Sequence, residues 1–366
     1  MTNAVAPGLA PKRIMSIDAL RGFDMLWIIG GGEVIIAIAK ACPNSFTLWL
    51  ARNFDHEWGV FRFYDIIMPL FLFIVGVVMP VAFKNRAKSK SETYRHVLIR
   101  VVKLYILGLI ASGHLFDLNI ATLHLWTDTL HAIAIGYLVS SVLILEVSRK
   151  WQYVIVALLL LAYSIVMTQV PVPGQQAGVF EIDNNLALYV DNAVLGHFQE
   201  GSGWTYILSN MTFICSVMLG VFAGYILLSD ISEIAKIKRL TIAGVSCIAG
   251  GLIWSLWFPI IHHIWTSSLV LFAGGWSYLL LALFYYVIDV RGYTKWSFPL
   301  KVIGVNAIAV YVATHLFNFS TIAVVFVGGF AKWFGEWYQV LLAITALLVV
   351  WLILFYMYKN KTFLKV

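Results

Sequence analysis

The 366-residue chain is predicted to fold as an all-α, polytopic integral membrane protein with about ten transmembrane helices and both termini cytoplasmic. Three observations carry that expectation. Composition is the first: 61% of residues are hydrophobic, 12% are charged and mean hydropathy is +0.86, against about 25% charged in average soluble proteins. Segmentation is the second. Apolar runs long enough to cross a bilayer core of roughly 30 Å fall at 18–39, 64–83, 96–113, 127–146, 151–170, 206–228, 239–258, 265–289, 300–319 and 338–357. Charge placement is the third. With the N-terminus cytoplasmic, 21 of the 25 basic residues lie on the inner side, and only Lys40, Arg52, Arg62 and Lys332 lie outside. That asymmetry is the positive-inside pattern. The net charge of +7 therefore reports topology and excludes nucleic acid as the reason for it.

The first span opens on Ser16-Ile17-Asp18-Ala19-Leu20-Arg21-Gly22-Phe23-Asp24. The mildly polar N-terminus, with no small-residue cleavage site after the span, marks it as retained and not as a signal peptide. Asp18, Arg21 and Asp24 recur every third residue and share one helix stripe. They form either an intrahelical ion pair at the membrane edge or, through Arg21 with Lys12 and Arg13, a face toward a polyanionic ligand in the cytosol. Gly30-Gly31-Gly32 deeper in the span permits close helix packing or the passage of a slim ligand. An aromatic loop, Phe54-Asp55-His56-Glu57-Trp58-Gly59, then leads to the second span.

Later connections are short on the inside. Lys84 to Arg95 is a basic hairpin, Arg149-Lys150 closes a tight turn, and Asp230 to Arg239 forms the next inner loop. The dominant outer loop runs from Val170 to Thr205 and opens on the turn signal Pro171-Val172-Pro173-Gly174. It holds Glu181, Asp183, Asp191 and Glu200 without a lysine or arginine, and reads equally as a solvated connector or as a lid. No repeat or low-complexity linker divides the chain, so one integral domain over 1–366 is expected. Cys42, Cys215 and Cys247 offer neither a disulfide framework nor a C-x-x-C spacing.

Eight of the nine histidines fall in outer loops or the outer ends of spans. His124, His197, His262 and His263 are accounted for as ordinary loop and span-end residues. His56, Asp65, His131 and His315 border or enter apolar runs, which points to a polar cavity opening outward, with Asp128 in the same layer. Histidine there can act as general base, general acid or nucleophile, with Asp65 fixing its tautomer. No metal site is expected. His56-Glu57 lacks a second histidine, and adjacent His262-His263 would point to different faces of a helix.

Arg13-x-x-Ser16-Ile17-Asp18-x-x-Arg21-Gly22 followed by Gly30-Gly31-Gly32 resembles the start of the heparan-alpha-glucosaminide N-acetyltransferase family. The likeness continues, in order, through His56-x-Trp58-Gly59, Asp65 to Gly76, Pro171 to Gly174, Leu219 to Gly224, Trp265 to Ser268, Val287 to Gly292 and Gly304-x-Asn306-x-x-x-x-Tyr311. The resemblance implies a multi-pass fold that moves an acetyl group from cytosolic acetyl-CoA to an amino sugar on the far side of the membrane. It implies His56 as catalytic histidine and Asp65 as its carboxylate. Donor binding is expected at Arg21, Asp18, Gly30, Gly31 and Gly32, and acceptor binding at His131, Asp128, Asn306 and His315. The animal enzyme carries a further lumenal domain ahead of this core, so the expectation is a bacterial member in the inner membrane. This chain departs from the family pattern at Ile28, at His131-Ala132 and at His315, and adds acids at Asp24 and Glu33. These departures concentrate around the acceptor side.

The leading expectation is transmembrane acyl transfer, with acetyl-CoA as donor and a sugar amine or hydroxyl as acceptor. The expected partners are membrane lipid and that small-molecule acceptor, with a homodimer as the assembly to test. A sugar transporter using the same cavity is the alternative, and a structural partner in an envelope complex is a third.

Overall fold

A computed structural model describes residues 14–85, 89–201 and 203–362. Lys12, Arg13, Arg86, Lys88 and Lys365, counted above on the inner side, lie outside the described residues. The described residues are mostly helical, with almost no sheet. Its helices are α1 (Met15–Leu26), α2 (Gly32–Ala41), α3 (Ser45–Arg52), α4 (Ile67–Asn85), α5 (Lys90–Ala111), α6 (Thr129–Glu146), α7 (Arg149–Gln169) and α8 (Leu186–Leu195). They continue with α9 (Asn210–Leu227), α10 (Glu233–Trp254), α11 (Ser267–Phe284), α12 (Phe298–Val305), α13 (Ala307–Leu316), α14 (Phe319–Val327), α15 (Ala331–Phe334) and α16 (Tyr338–Lys359).

Among the described residues, eight helical stretches are long and apolar enough to cross a membrane, or nine if one bent pair counts as a single span. The expected number was about ten; the bent pair accounts for one of the two missing from the eight, and α5 for the other. It stands where the third span was expected and has 22 residues, but Arg95, Arg100 and Lys103 interrupt its apolar run. The Arg100 guanidinium lies 4.4 Å from the centroid of the Tyr137 ring, which gives that charge a partner within the bundle.

Two expected spans are discontinuous. Span one runs through a single π-turn, Trp27–Gly31, with Gly30 at φ 138°; only glycine adopts such a φ without strain. The expected span 300–319 is broken at Asn306, where α12 and α13 meet at 74°. Glycine contact draws α12 against α1: a Cβ at Gly304 would lie 2.0 Å from the Asp18 carbonyl oxygen. After α13 the chain makes a non-helical corner at Phe317-Asn318. The Asn318 carboxamide then caps α14 by accepting from the N–H of Ser320 at 3.0 Å.

The centre of the bundle is the α4–α9 crossing. A Cβ at Gly76 would lie 1.9 Å from the Val217 carbonyl oxygen, and one at Gly220 would lie 1.9 Å from that of Phe73. The backbones therefore touch, which is how membrane helices gain packing without a hydrophobic driving force. The long 170–205 connection proves to be folded, with a two-strand hairpin (β1, Phe180–Glu181; β2, Asn184–Asn185) followed by α8. Buried Asp191 on α8 accepts from the backbone N–H of Tyr206 at 2.7 Å and of Ile207 at 2.9 Å. These bonds pin the connection to the start of α9.

Candidate active site

One end of the bundle gathers the loops after α3, α5, α7 and α10. Trp58 Nε1–H donates to Phe180 O at 2.9 Å, Tyr206 OH to Thr127 O at 2.6 Å, and Thr205 N–H to His263 O at 3.2 Å. These cross-links hold four separate segments in fixed positions around a cavity of about 260 Å³.

His56 follows α3 in a loop tied down from both sides. Tyr64 N–H donates back to Asn53 O at 2.9 Å, and Gly59 takes φ +73° to close the turn after His56. Asp65 sits in the 3-10 turn Phe63–Ile66 that starts the second span. There its Oδ2 accepts from the Arg62 backbone N–H at 2.7 Å. Its Oδ1 lies 2.7 Å from His56 Nδ1. Asp65 is 1% exposed and carries no hydrogen to donate when ionised, so the imidazole is the donor through Nδ1–H. Nε2 is left for the cavity that His56 lines. A carboxylate that fixes the tautomer of a cavity-facing imidazole is the arrangement a general base or acyl-accepting histidine requires.

The second histidine at this carboxylate is His262. Its Nδ1 lies 3.0 Å from the same Asp65 Oδ1, off the direction a hydrogen bond needs, so both of its ring nitrogens are buried without a hydrogen-bond partner. His262 belongs to the turn 262–265 and not to a helix. Thr266 builds that turn: its hydroxyl accepts from Ile261 N–H at 3.1 Å and from Leu269 N–H at 3.4 Å, capping α11. His263 stacks on Trp204 at 4.2 Å between centroids, while Trp265 lies 5.1 Å from His262. Burial lowers the pKa of His262, against the opposing effect of Asp65. The His263 pKa is pushed down to about 4, first by burial and then by the neighbouring His262 and His56.

Across the cavity stands Asp128, the N-cap of α6, which accepts from Leu130 N–H at 2.7 Å. It also accepts from Ser112 Oγ–H at 2.5 Å and from Tyr311 OH at 2.9 Å. Glu200, hydrogen-bonded to the Thr127 hydroxyl, His315 and Ile28 complete this wall. His315 and Ile28 also border a larger cavity of about 600 Å³ between α2, α13 and α16, lined further by Gly30, Glu33 and Lys40.

The expected site residues thus separate into groups. His56, Asp128 and His315 line the smaller cavity, and buried Asp65 joins them through its contact with His56. His131 does not line it. The ring is fully buried behind Asp128, with Nδ1 accepting from the N–H of Thr127 at 3.2 Å and Nε2 3.1 Å from Tyr105 O. Asn306 lies at the break between α12 and α13, its Nδ2 3.4 Å from Thr362 O, away from this cavity. Gly31 and Gly32 pack against Leu26 and Phe54, and Gly30 borders the larger cavity. Asp18 and Arg21 lie on α1 near its start, where Asp18 is buried beside Gly304. Asp24 is fully buried, and neither carboxylate oxygen has a hydrogen-bond partner.

Fold and site together are those of a polytopic helical membrane protein with a histidine–carboxylate centre at one end. The chain belongs to the family described as heparan-alpha-glucosaminide N-acetyltransferase, catalytic, whose model matches residues 13–264; this is a membrane acetyltransferase family. The heparan-alpha-glucosaminide N-acetyltransferase of Homo sapiens is 22% identical over 380 aligned residues, covering 84% of this chain and 53% of that protein. The chain therefore spans about half the length of the curated relative it matches.

Proposed function

We propose that the protein transfers an acetyl group from acetyl-CoA to the amine or hydroxyl of a sugar, with His56 as the catalytic histidine and Asp65 as its orienting partner. The observation that carries this reading is the 2.7 Å contact between His56 Nδ1 and buried Asp65 at the wall of a polar cavity. In a direct mechanism Nε2 of His56 takes the proton of the attacking amine or hydroxyl as the thioester carbon is attacked and the thiolate leaves. In a two-step mechanism Nε2 itself takes the acetyl group and then passes it on. Asp65 stabilises the imidazolium in either case. Asp128, Glu200 and His315 offer hydrogen bonds to acceptor hydroxyl or amino groups, and Arg21 offers a cation to donor phosphates. The family match and the human relative support the acetyl donor and the sugar acceptor as the first candidates to assay. The asymmetry of basic residues supports an orientation with the donor bound from the cytosol and the acceptor on the far side.

Purified protein with labelled acetyl-CoA and a panel of amino sugars is the test. Transfer in wild type and its loss in His56→Ala supports the assignment; equal behaviour of the two with every sugar overturns it. A second reading, sugar transport, draws on the helix break at Asn306, because discontinuous helices are a recurring feature of transporter sites. It predicts sugar flux into proteoliposomes without any acyl donor.

A further inference from the structure

The two nitrogens of His262 are the least explained atoms at the site. Each is buried and lacks a hydrogen-bond partner, although leaving such a group unsatisfied costs about 1–3 kcal/mol. One of them, Nδ1, lies 3.0 Å from the Asp65 oxygen that His56 Nδ1 approaches to 2.7 Å. One donor atom from each of His56, Asp65 and His262 falls within 4.8 Å of the others. Such spacings suit donors that share one ion at roughly 2.0–2.2 Å each. The donors come from three separately anchored segments: the loop after α3, the 3-10 turn before α4 and the turn before α11. They converge without any of the sequence spacings that mark metal motifs.

From this convergence we propose that His56, Asp65 and His262 form a binding site for a borderline divalent transition-metal ion of the Zn2+ or Co2+ class. Two imidazoles and one carboxylate are the ligand types such ions prefer, whereas Mg2+ and Ca2+ seek oxygen. The fourth side of the site opens on the cavity of about 260 Å³, leaving room for water to complete the shell. Binding breaks the His56–Asp65 hydrogen bond. Nδ1 of His56 takes the ion and its single ring proton is carried on Nε2, so neutral imidazole enters without an added base. The ion therefore competes with the orienting role of Asp65 and inhibits acyl transfer. The site itself does not rest on that activity.

The test is a Co2+ titration of chelator-stripped, detergent-purified protein, followed by visible d–d absorption and by elemental analysis. One equivalent per chain is expected, displaced by Zn2+. In His262→Ala the affinity falls by more than the roughly 10–100-fold that outer-shell partners are worth. His262→Gln, closer in size, gives the same loss and replaces His262→Ala if the latter does not elute as wild type on size exclusion. His124→Ala, in a different loop, retains full binding. The absence of saturable binding, or equal binding by wild type and His262→Gln, overturns the proposal. The titration needs neither donor nor acceptor, so its failure and the failure of the acyl-transfer reading are separate results.

Discussion

Asp65→Asn tests the catalytic pair most directly. The native carboxylate takes His56 Nδ1–H on one oxygen and the Arg62 backbone N–H on the other, each at 2.7 Å. Asparagine keeps the shape but offers a single acceptor oxygen. If that oxygen stays with Arg62, the amide N–H faces Nδ1, and the imidazole must move its proton to Nε2, where it can no longer accept one from a substrate. If the oxygen turns to His56 instead, a buried backbone donor is stranded. Losing a hydrogen bond to a charged group costs about 1.5–3 kcal/mol, and a tenfold rate change corresponds to about 1.36 kcal/mol. The expected fall in kcat is therefore about 10- to 150-fold, with the tautomer reversal adding to it and donor KM changing little. Initial rates with labelled acetyl-CoA measure this. A variant that keeps more than half of the wild-type kcat refutes the assigned role of Asp65.

Three further outcomes follow from the packing and from one buried acid. Gly76→Ala forces a Cβ to within 1.9 Å of the Val217 carbonyl oxygen, whereas Gly250→Ala meets only Leu271 at 3.5 Å. The first should lower thermal stability by about 1–3 kcal/mol or more and the second should be near neutral, as read by size-exclusion thermostability. Tyr311→Phe removes the hydroxyl 2.9 Å from Asp128; a stability loss of about 1–2 kcal/mol and a raised acceptor KM are expected, and an unchanged KM would remove Asp128 from the acceptor wall. Burial pushes the Asp191 carboxyl up to about 6, against the backbone N–H of Ile207 and Tyr206, which lower it. Its unfolded value is about 3.9, so the folded state holds the proton more tightly. The contribution of Asp191 to stability is then complete below about pH 4 and is lost as pH rises through 6. Asp191→Asn should flatten the dependence of the thermal midpoint between pH 4.5 and 7, and an unaltered slope contradicts the assignment.

The helices were legible because a membrane span needs a long apolar run, and little in the chain competes with that signal. Discontinuities were not legible to the same degree. Nothing in Val305-Asn306-Ala307 announces a 74° bend, and the contact of Gly304 with α1 beside it is distant in sequence. The pairing of His56 with Asp65 was anticipated from their places beside apolar runs and from the family resemblance. His262 was passed over because adjacent histidines on a helix diverge, a rule that does not apply in the turn 262–265 that Thr266 builds. His131 erred in the opposite direction: a histidine entering an apolar span looks functional, but its two nitrogens are occupied by the backbone of 127 and 105. Thr127 carries no local mark of what it holds in place.

The corner at Phe317-Asn318 has an electrical consequence. Phe319 packs beside Val350, Ile353 and Leu354 of α16, about 18–24 Å along that helix at 1.5 Å per residue. Irregular backbone at such depth needs either protein cover or water, and the corner borders the cavity of about 600 Å³. Filled with water, a vestibule reaching that far would leave only part of the roughly 30 Å hydrocarbon layer as insulator. The membrane voltage would then fall across the remaining septum. Any charge crossing there would do nearly all of its electrical work, about 2.3 kcal/mol per elementary charge at 100 mV, over that short distance.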